Sequence, residues 1–486
     1  MRRLAPWLIW GIPAAVAVMA GGILALWLGH DPYRELHQRL PGEDGRPARR
    51  AGGAVEAPVQ IGELFTAFPG PPPSPLPGEW PRFRGADGTS TASGSVPLAE
   101  GWGEAGPPAL WSVELGEGHA GPAVADSRVY VLDYDEARGA DMLRCFALAD
   151  GRELWQRGYR VEIKRNHGRS RTVPAVAGGY VVTVGPRCHV MCVEAVSGEL
   201  KWGLDLVREY GGAEPLWYTG QCPLIDEGVA VLAPGGRALM IGVECAGGRV
   251  LWEVANPSGW QMSHSSIVPM TLLGRRMYVY CAVGGMVGVS AEAGDRGALL
   301  WSSTAWTQAV IAPSPVAVGP EHIYVTAGYG AGAALLRLRR DDDGYALDLV
   351  SRVKVTEGLC SEQQTPILHD GFLYAVLPKD AGPLRKQFVC ARPERLDGFA
   401  WTSGKAARFG LGPCLLADGK FFILDDEGVL TVVRASASAY EPLWQGRVLP
   451  GPDSWGPMAL AGGRLLVRDA WRLRCLDVRA TGASKP

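Results

Sequence analysis

The chain is 486 residues long, 47 % hydrophobic and 20 % charged, with a net charge of −2 at pH 7. Enough apolar material to build a well-buried body excludes an intrinsically disordered chain. The lack of a basic surplus excludes a general affinity for nucleic acid. The first element in chain order is apolar: Leu4 to Gly29 carries no charged residue and follows Arg2 and Arg3. Its 26 residues are long enough for a membrane-spanning helix. A cleaved signal peptide is the alternative, but Leu26-Trp-Leu-Gly29 is a poor cleavage site. We therefore expect an uncleaved anchor over residues 1–30, single-pass in the inner membrane. Arg34, Arg39, Arg46, Arg49 and Arg50 follow it, so the positive-inside rule does not settle orientation. The three-residue leader favours export of the body to the periplasmic side.

Residues 31–78 read as a Pro/Gly-rich linker, and Pro69-Gly-Pro-Pro-Pro-Ser-Pro-Leu-Pro77 as a stiff spacer of polyproline type. From 79 to 480 the chain repeats itself, leaving 481–486 as a tail. Eight units open on Pro122, Pro174, Pro223, Pro269, Pro315, Pro366, Pro413 and Pro457, about 50 residues apart. Each holds short runs of β-branched and aromatic residues, such as Val129-Tyr-Val-Leu132, between Gly, Asp and Asn turns. No long segment carries a helical stripe, which excludes a parallel sheet with crossover helices. Three units align without gaps at their ends: Ala147-Leu-Ala-Asp-Gly-Arg-Glu-Leu-Trp155, Glu194-Ala-Val-Ser-Gly-Glu-Leu-Lys-Trp202 and Glu244-Cys-Ala-Gly-Gly-Arg-Val-Leu-Trp252.

This pattern predicts an all-β, eight-bladed β-propeller of four-stranded antiparallel blades, because stacking blades about an axis buries faces that one sheet alone cannot. The last unit stops at Val478 without a Gly-x-x-x-Trp strand, while a spare strand, Ala109-Leu-Trp-Ser-Val-Glu-Leu115, precedes the first unit. The N-terminal strand is expected to close the last blade; seven blades would leave one strand set orphaned. Arg339-Arg-Asp-Asp-Asp-Gly344 reads as a charged hairpin turn.

Ten cysteines raise the question of redox or metal chemistry. Cys145, Cys192, Cys390 and Cys475 occupy related positions in different blades, too far apart for disulfides, so small apolar packing is expected. A local Cys188–Cys192 bridge stays open. Cys188-His-Val-Met-Cys192 lacks the haem-attachment spacing, and no Cys-x-x-Cys zinc pair occurs. No metal site is expected.

The Gly-x-x-x-Trp endings resemble the tryptophan-docking repeat of pyrroloquinoline-quinone (PQQ)-like propellers. Trp80-Pro-Arg-Phe-Arg-Gly-Ala-Asp-Gly88, Asn166-His-Gly-Arg-Ser-Arg-Thr-Val-Pro174 and Ser263-His-Ser-Ser-Ile-Val-Pro269 resemble segments of PQQ-binding-like β-propeller repeat proteins. The resemblance implies that Trp111, Trp155, Trp202, Trp252, Trp301, Trp401 and Trp444 dock neighbouring blades; in the unit opening at Pro315, Leu349 is the expected stand-in. It also leaves two functional classes. A quinoprotein alcohol dehydrogenase would hold PQQ and Ca²⁺ in the channel, yet the chain has no adjacent cysteine pair, no c-type haem site and no calcium-loop spacing. The favoured class is a non-enzymatic, monomeric binding or scaffold ring of the BamB type, with no cofactor and with a protein or small-molecule ligand. It lacks the lipobox cysteine of that type.

In a propeller the segments before each first strand converge on one mouth of the channel. Here they are polar and aromatic: His119, Lys164 to Arg171, Trp217 to Gln221, Trp260 to His264, Trp306 to Gln308, Ser361 to Gln364, Arg408 and Trp455. We expect ligand contacts from Arg169, Arg171, Tyr218, Gln221, Trp260, His264, Gln308, Glu362 and Gln363. No catalytic residue is assigned. The bland alternative is that these groups satisfy one another and channel water.

Overall fold

The computed structural model describes residues 6–29 and 58–480, except 93, 95, 167 and 343. The chain separates into two compact units, 1–54 and 55–486. In the first, Pro6–Gly29 forms a helix, α1. Among the described residues no helix is long and apolar enough to cross a membrane. Residues 1–5 and 30 of the expected anchor, 31–57 of the expected linker and the expected tail, 481–486, lie outside the described residues.

The second unit is an eight-bladed propeller. Its blades, here numbered 1 to 8, are antiparallel sheets over residues 123–160, 175–205, 224–255, 268–303, 316–353, 367–402, 414–447 and 459–477. The middle strands are buried on both faces: Arg128–Asp135 and Ala140–Ala147 of blade 1 are almost wholly covered, because a neighbouring blade lies on either side. That is why they read as near-continuous apolar runs, while outer strands alternate. The charged hairpin of blade 5 pairs Asp341 with Gly344, as its turn residues predict. Blade 1 gains a fifth strand, Leu64–Ala67, on its outer edge. Beyond it, Arg152 Nη2 donates to the Pro71 carbonyl at 2.6 Å and Leu76 N donates to Ser127 Oγ at 2.8 Å, laying the proline-rich stretch along blade 1.

The ring closes where the sequence places the closure. Ala109–Glu114 pairs antiparallel with Arg472–Asp477 as the fourth strand of blade 8. Two further contacts tie that blade to blade 1. The Trp111 indole N–H donates to the Leu148 carbonyl at 2.9 Å. Arg468, 1 % exposed, donates to the carbonyls of Ala120, Leu132 and Gly116 at 2.9 to 3.0 Å. Burial pulls this guanidinium down to about 10, still protonated at neutral pH.

The Gly-x-x-x-Trp repeat has a steric meaning. Trp111 lies on Gly151, Trp155 on Gly198, Trp202 on Gly248 and Trp252 on Gly297, so each tryptophan rests on the turn glycine of the next blade. A Cβ at any of these glycines would approach the indole to within 2.6 to 2.7 Å. The same turns need positive φ, 72° at Gly151 and 70° at Gly198, so two constraints select glycine. Trp202 and Trp401 also donate to Cys245 and Ser436 carbonyls at 2.9 Å. Blade 8 takes its last strand from the N-terminus and so has no third turn for Trp444. That indole packs instead on Gly101 and edge-on to Trp102, 5.0 Å between centroids. In blade 5 the docking register belongs to Ser351, opposite Leu335 before the strand bulge, and Leu349 lies two residues away and half exposed.

All ten cysteines are free thiols; nine are buried and Cys414 is half-buried. Cys188 packs on the Met262 sulfur rather than bridging Cys192. Residues 80–92 cross the inside of the ring. Trp80 bridges Val124 in the first strand of blade 1, Val176 of blade 2 donates to the Pro81 carbonyl at 2.8 Å, and Thr91 bridges Leu416 in the first strand of blade 7. Arg82, Phe83 and Arg84 meanwhile lie against Cys222, Ser266 and Ser314 of blades 3 to 5. This crossing plugs the channel from the face of the first turns.

The glycine rule is tested by Gly151→Ala against Gly178→Ala. Both positions have positive φ, but a Cβ at Gly178 meets nothing within 4 Å. Gly178→Ala should cost about 1–2 kcal/mol of backbone strain. Gly151→Ala should cost about 1–3 kcal/mol more through overlap with Trp111, read by urea denaturation. Equal losses would show that the close approach is not what holds the blades.

Candidate functional site at the mouth of the ring

In a meander blade the first strand starts, and the second strand ends, at the same face. The loops entering each blade and the turns between second and third strands therefore gather at one mouth. With the far end plugged, they enclose a funnel of about 520 Å³ with Phe83 and Cys222 among its lining. One wall is aromatic. Trp217 stacks on Tyr329, centroids 5.6 Å apart and planes 20° apart, and on His264 at 6.2 Å and 29°. Lys379 Nζ lies 4.9 Å above the Tyr329 ring. Across the funnel His119 stacks on Trp455 at 3.5 Å. The rim carries ion pairs, Lys379 with Glu362 at 2.9 Å and Lys386 with Asp426 at 3.2 Å.

Two of these aromatic positions hold left-handed backbone, Trp217 at φ 60° and Tyr329 at 57°, as does Tyr218 next to Trp217, at 70°. Bulky side chains cost about 1–2 kcal/mol each there, so surrounding contacts must hold them. Tyr218 is held through its hydroxyl, which accepts from Lys164 N at 3.0 Å. Gly330, beside Tyr329, donates to Asp380 Oδ2 at 2.7 Å. His264 is pushed down to about 4, first by burial and then by the Arg171 charge, so it stands neutral at physiological pH. Arg171 is itself lowered to about 10 by burial and donates to the carbonyls of Asn166 and Gly168.

Of the residues singled out from sequence, Arg171, His264, Glu362 and Gln363 line the funnel. The others lie elsewhere. Arg169 pairs with Glu136 and stacks on Tyr134, toward the flank of blade 1. Tyr218 packs behind the wall. Gln221 turns into the blade, where its amide spans both backbone groups of Ala233 and reaches Tyr280 Oη. Trp260 covers Gly284 and Gly285. Gln308 is half-buried away from the lining. Trp306, in the same loop, is fully buried, with Arg352 5.4 Å from its ring. Tyr329, Lys379, Lys386 and Asp426 lie outside the loops entering each blade, in turns between second and third strands. The turns between second and third strands share that face, and strand parity alone could have found them.

Beneath the His119 wall lies a buried carboxyl. Asp141 accepts from Ser170 Oγ at 2.6 Å and Tyr159 Oη at 3.1 Å, and the Ser170 carbonyl accepts from His119 N at 2.8 Å. Burial, first of all, raises Asp141 to about 7.

A calcium-bound quinone can be tested against these donors. Among the described residues no three His, Cys, Asp or Glu side chains gather as a metal site. Of the funnel carboxylates Glu362, Asp426 and Asp453, the first two already pair with lysines. The donor set does not fit Ca²⁺, which takes six to eight oxygens.

Residues 139–395 match the family model described as outer membrane protein assembly factor BamB. No curated protein matches the chain. Among solved structures, BamB from Moraxella catarrhalis superposes with a TM-score of 0.51 at 12 % identity, over 76 % of this chain and 99 % of that one. Quinohemoprotein alcohol dehydrogenase from Comamonas testosteroni gives 0.56 at 12 %, over 84 % and 82 %. A europium-containing methanol dehydrogenase gives 0.54 at 12 %, over 80 % and 89 %. At such identity these likenesses establish the fold alone.

Asp141 carries a testable pH dependence. Its folded value lies above the unfolded value of about 3.9, so the folded state keeps the proton longer. Its contribution to stability is full below about pH 4 and is lost as pH rises toward 7. Asp141→Asn should therefore gain on the wild type, by on the order of 3 kcal/mol between pH 4.5 and 8, measured by urea unfolding at both. A constant difference would mean that the carboxyl is not held protonated.

Proposed function

This chain belongs to the family described as outer membrane protein assembly factor BamB, and from that premise we propose that it is a non-enzymatic binding module whose working surface is the funnel. The observation that carries this reading is the backbone of Trp217, Tyr218 and Tyr329. The ring closes without these residues, yet Trp217 and Tyr329 hold disfavoured left-handed conformations at the funnel wall, and Tyr218 holds another just behind it. Left-handed backbone beneath bulky aromatic rings at a concave surface supports a binding role. Loops from several blades reach that surface, so a protein segment or a small molecule could engage it. The chain acts as a monomer in this reading.

We place the ring on the extracytoplasmic side of the inner membrane, tethered by the uncharged stretch from Leu4 to Gly29 behind Arg2 and Arg3. Its support is the length and apolarity of that stretch. The alternative is a PQQ- and Ca-dependent quinoprotein alcohol dehydrogenase, a shape that the fold shares with the Comamonas testosteroni enzyme. The paired lysines on the funnel carboxylates weigh against it.

The binding role is tested with a photo-crosslinking amino acid in place of Tyr329 or, as a control, of Leu349. Both side chains are half exposed, one at the mouth and one on the outer edge of blade 5. Adducts in the cell envelope should form from position 329 and not from 349. Adducts only from 349 would move the working surface to the ring's side. Dye-linked alcohol oxidation by the full-length protein after addition of PQQ and Ca²⁺ would establish the enzyme instead. Protease added to spheroplasts should digest the ring; protection there would reverse the orientation.

A further inference from the structure

The funnel's charges come balanced. Arg171, Lys379 and Lys386 line it alongside Glu362, Asp426 and Asp453. Two of the three cations are tied directly to carboxylates, at 2.9 and 3.2 Å. Such a lining presents no net field to draw an ion into the cavity. An ion entering beside Lys379 or Lys386 would have to separate a pair in a partly dehydrated site, and breaking a desolvated pair is costly. What the lining offers instead is aromatic surface, chiefly the half-exposed Tyr329, beside groups that both donate and accept. Tyr329 is 51 % exposed at the end of the three-ring wall of His264, Trp217 and Tyr329. Gln363 and Gln364 add planar amides, each both donor and acceptor.

We propose that the funnel binds a neutral saccharide, one ring seated on the Trp217–Tyr329 wall with its hydroxyls spanning the Lys379–Glu362 pair. A sugar ring has an apolar C–H face suited to an aromatic wall, and every hydroxyl is at once donor and acceptor. Two neighbouring hydroxyls can donate to the Glu362 carboxylate and accept from the Lys379 ammonium without breaking the pair. The cavity, at about 520 Å³, lies within the range of small-molecule sites, roughly 300–1,000 Å³. A planar anion would find the stacking surface but no unpaired rim lysine among Lys379 and Lys386. This inference rests on the funnel being the binding surface.

The test uses the full-length protein in a detergent without a sugar headgroup. Chitotriose, cellotriose and maltotriose serve as soluble probes and insoluble peptidoglycan as the polymeric one. PQQ with Ca²⁺ and an acidic nonapeptide represent the competing classes. Saturable quenching of tryptophan emission, with saturation transfer to the sugar's ring protons, is expected for at least one saccharide. Trp217→Ala and Tyr329→Ala should each weaken it tenfold or more, while Trp471→Ala, an exposed indole outside the funnel, should leave it unchanged. Tyr329→Ala removes a half-exposed side chain, so its effect stays readable even if Trp217→Ala lowers the melting temperature. Retention on peptidoglycan without binding of soluble sugars would assign the saccharide to a polymer. Binding of PQQ or the peptide with every saccharide silent overturns the saccharide and keeps the funnel as a binding site. Silence of all classes overturns both.

Discussion

Everything in the ring depends on the seam between blades 8 and 1. A propeller is a cycle of pairwise packings, and an open cycle leaves two sheet faces bare to solvent. Here the cycle is completed by lending Ala109–Glu114 to the blade that ends the chain, a pairing of strands more than 350 residues apart. Because the lent strand carries Trp111, the seam is also docked like the joints following blades 1 to 3, with an indole on the next blade's turn glycine. Arg468 adds a feature of the seam itself, a buried guanidinium spanning three carbonyls between blades 8 and 1. A charge in that position would cost several kcal/mol if its partners moved, so it penalises any partly opened ring.

The seam explains irregularities elsewhere. Blade 8 has no turn between its third and fourth strands, which leaves Trp444 without its usual support; Gly101 and Trp102 fill the place, on the segment leading to the lent strand. The same N-terminal excursion supplies the plug. To reach blade 8 from the outer edge of blade 1, the chain passes along that blade and through the ring, touching first strands of blades 1 and 7 on the way. Closing the ring and closing one end of the channel are thus products of one path. A through-channel becomes a blind funnel, and a blind funnel can hold a ligand rather than conduct one.

The balance between packing and binding differs along the mouth. Gln221 and Trp306 are spent on the blades, satisfying backbone and filling core. Trp217, Tyr329 and the lysine–carboxylate pairs stay at the cavity wall. The first group stabilises the ring; the second holds strained backbone and partly dehydrated charge, features that stability alone does not select.

Blade number, strand order and the closing strand were legible in the sequence, because each is written in short-range terms: a period of about 50 residues, alternation within strands, and glycine four residues before tryptophan. The resemblance carried by those endings pointed to the same fold. Half of the site was legible as well, since strand parity sends the entering loops to one face, and it delivered Arg171, His264, Glu362 and Gln363 to the funnel. Tertiary structure alone decided that Gln221 turns inward, that Arg169 leaves for Glu136, that Ser351 rather than Leu349 occupies the vacant docking register, and that Trp80 to Thr91 seals the channel. The physical reason is common to all four. Each depends on where one side chain or segment finds its partner across the ring, and no local periodicity encodes a direction toward a residue that only closure brings near.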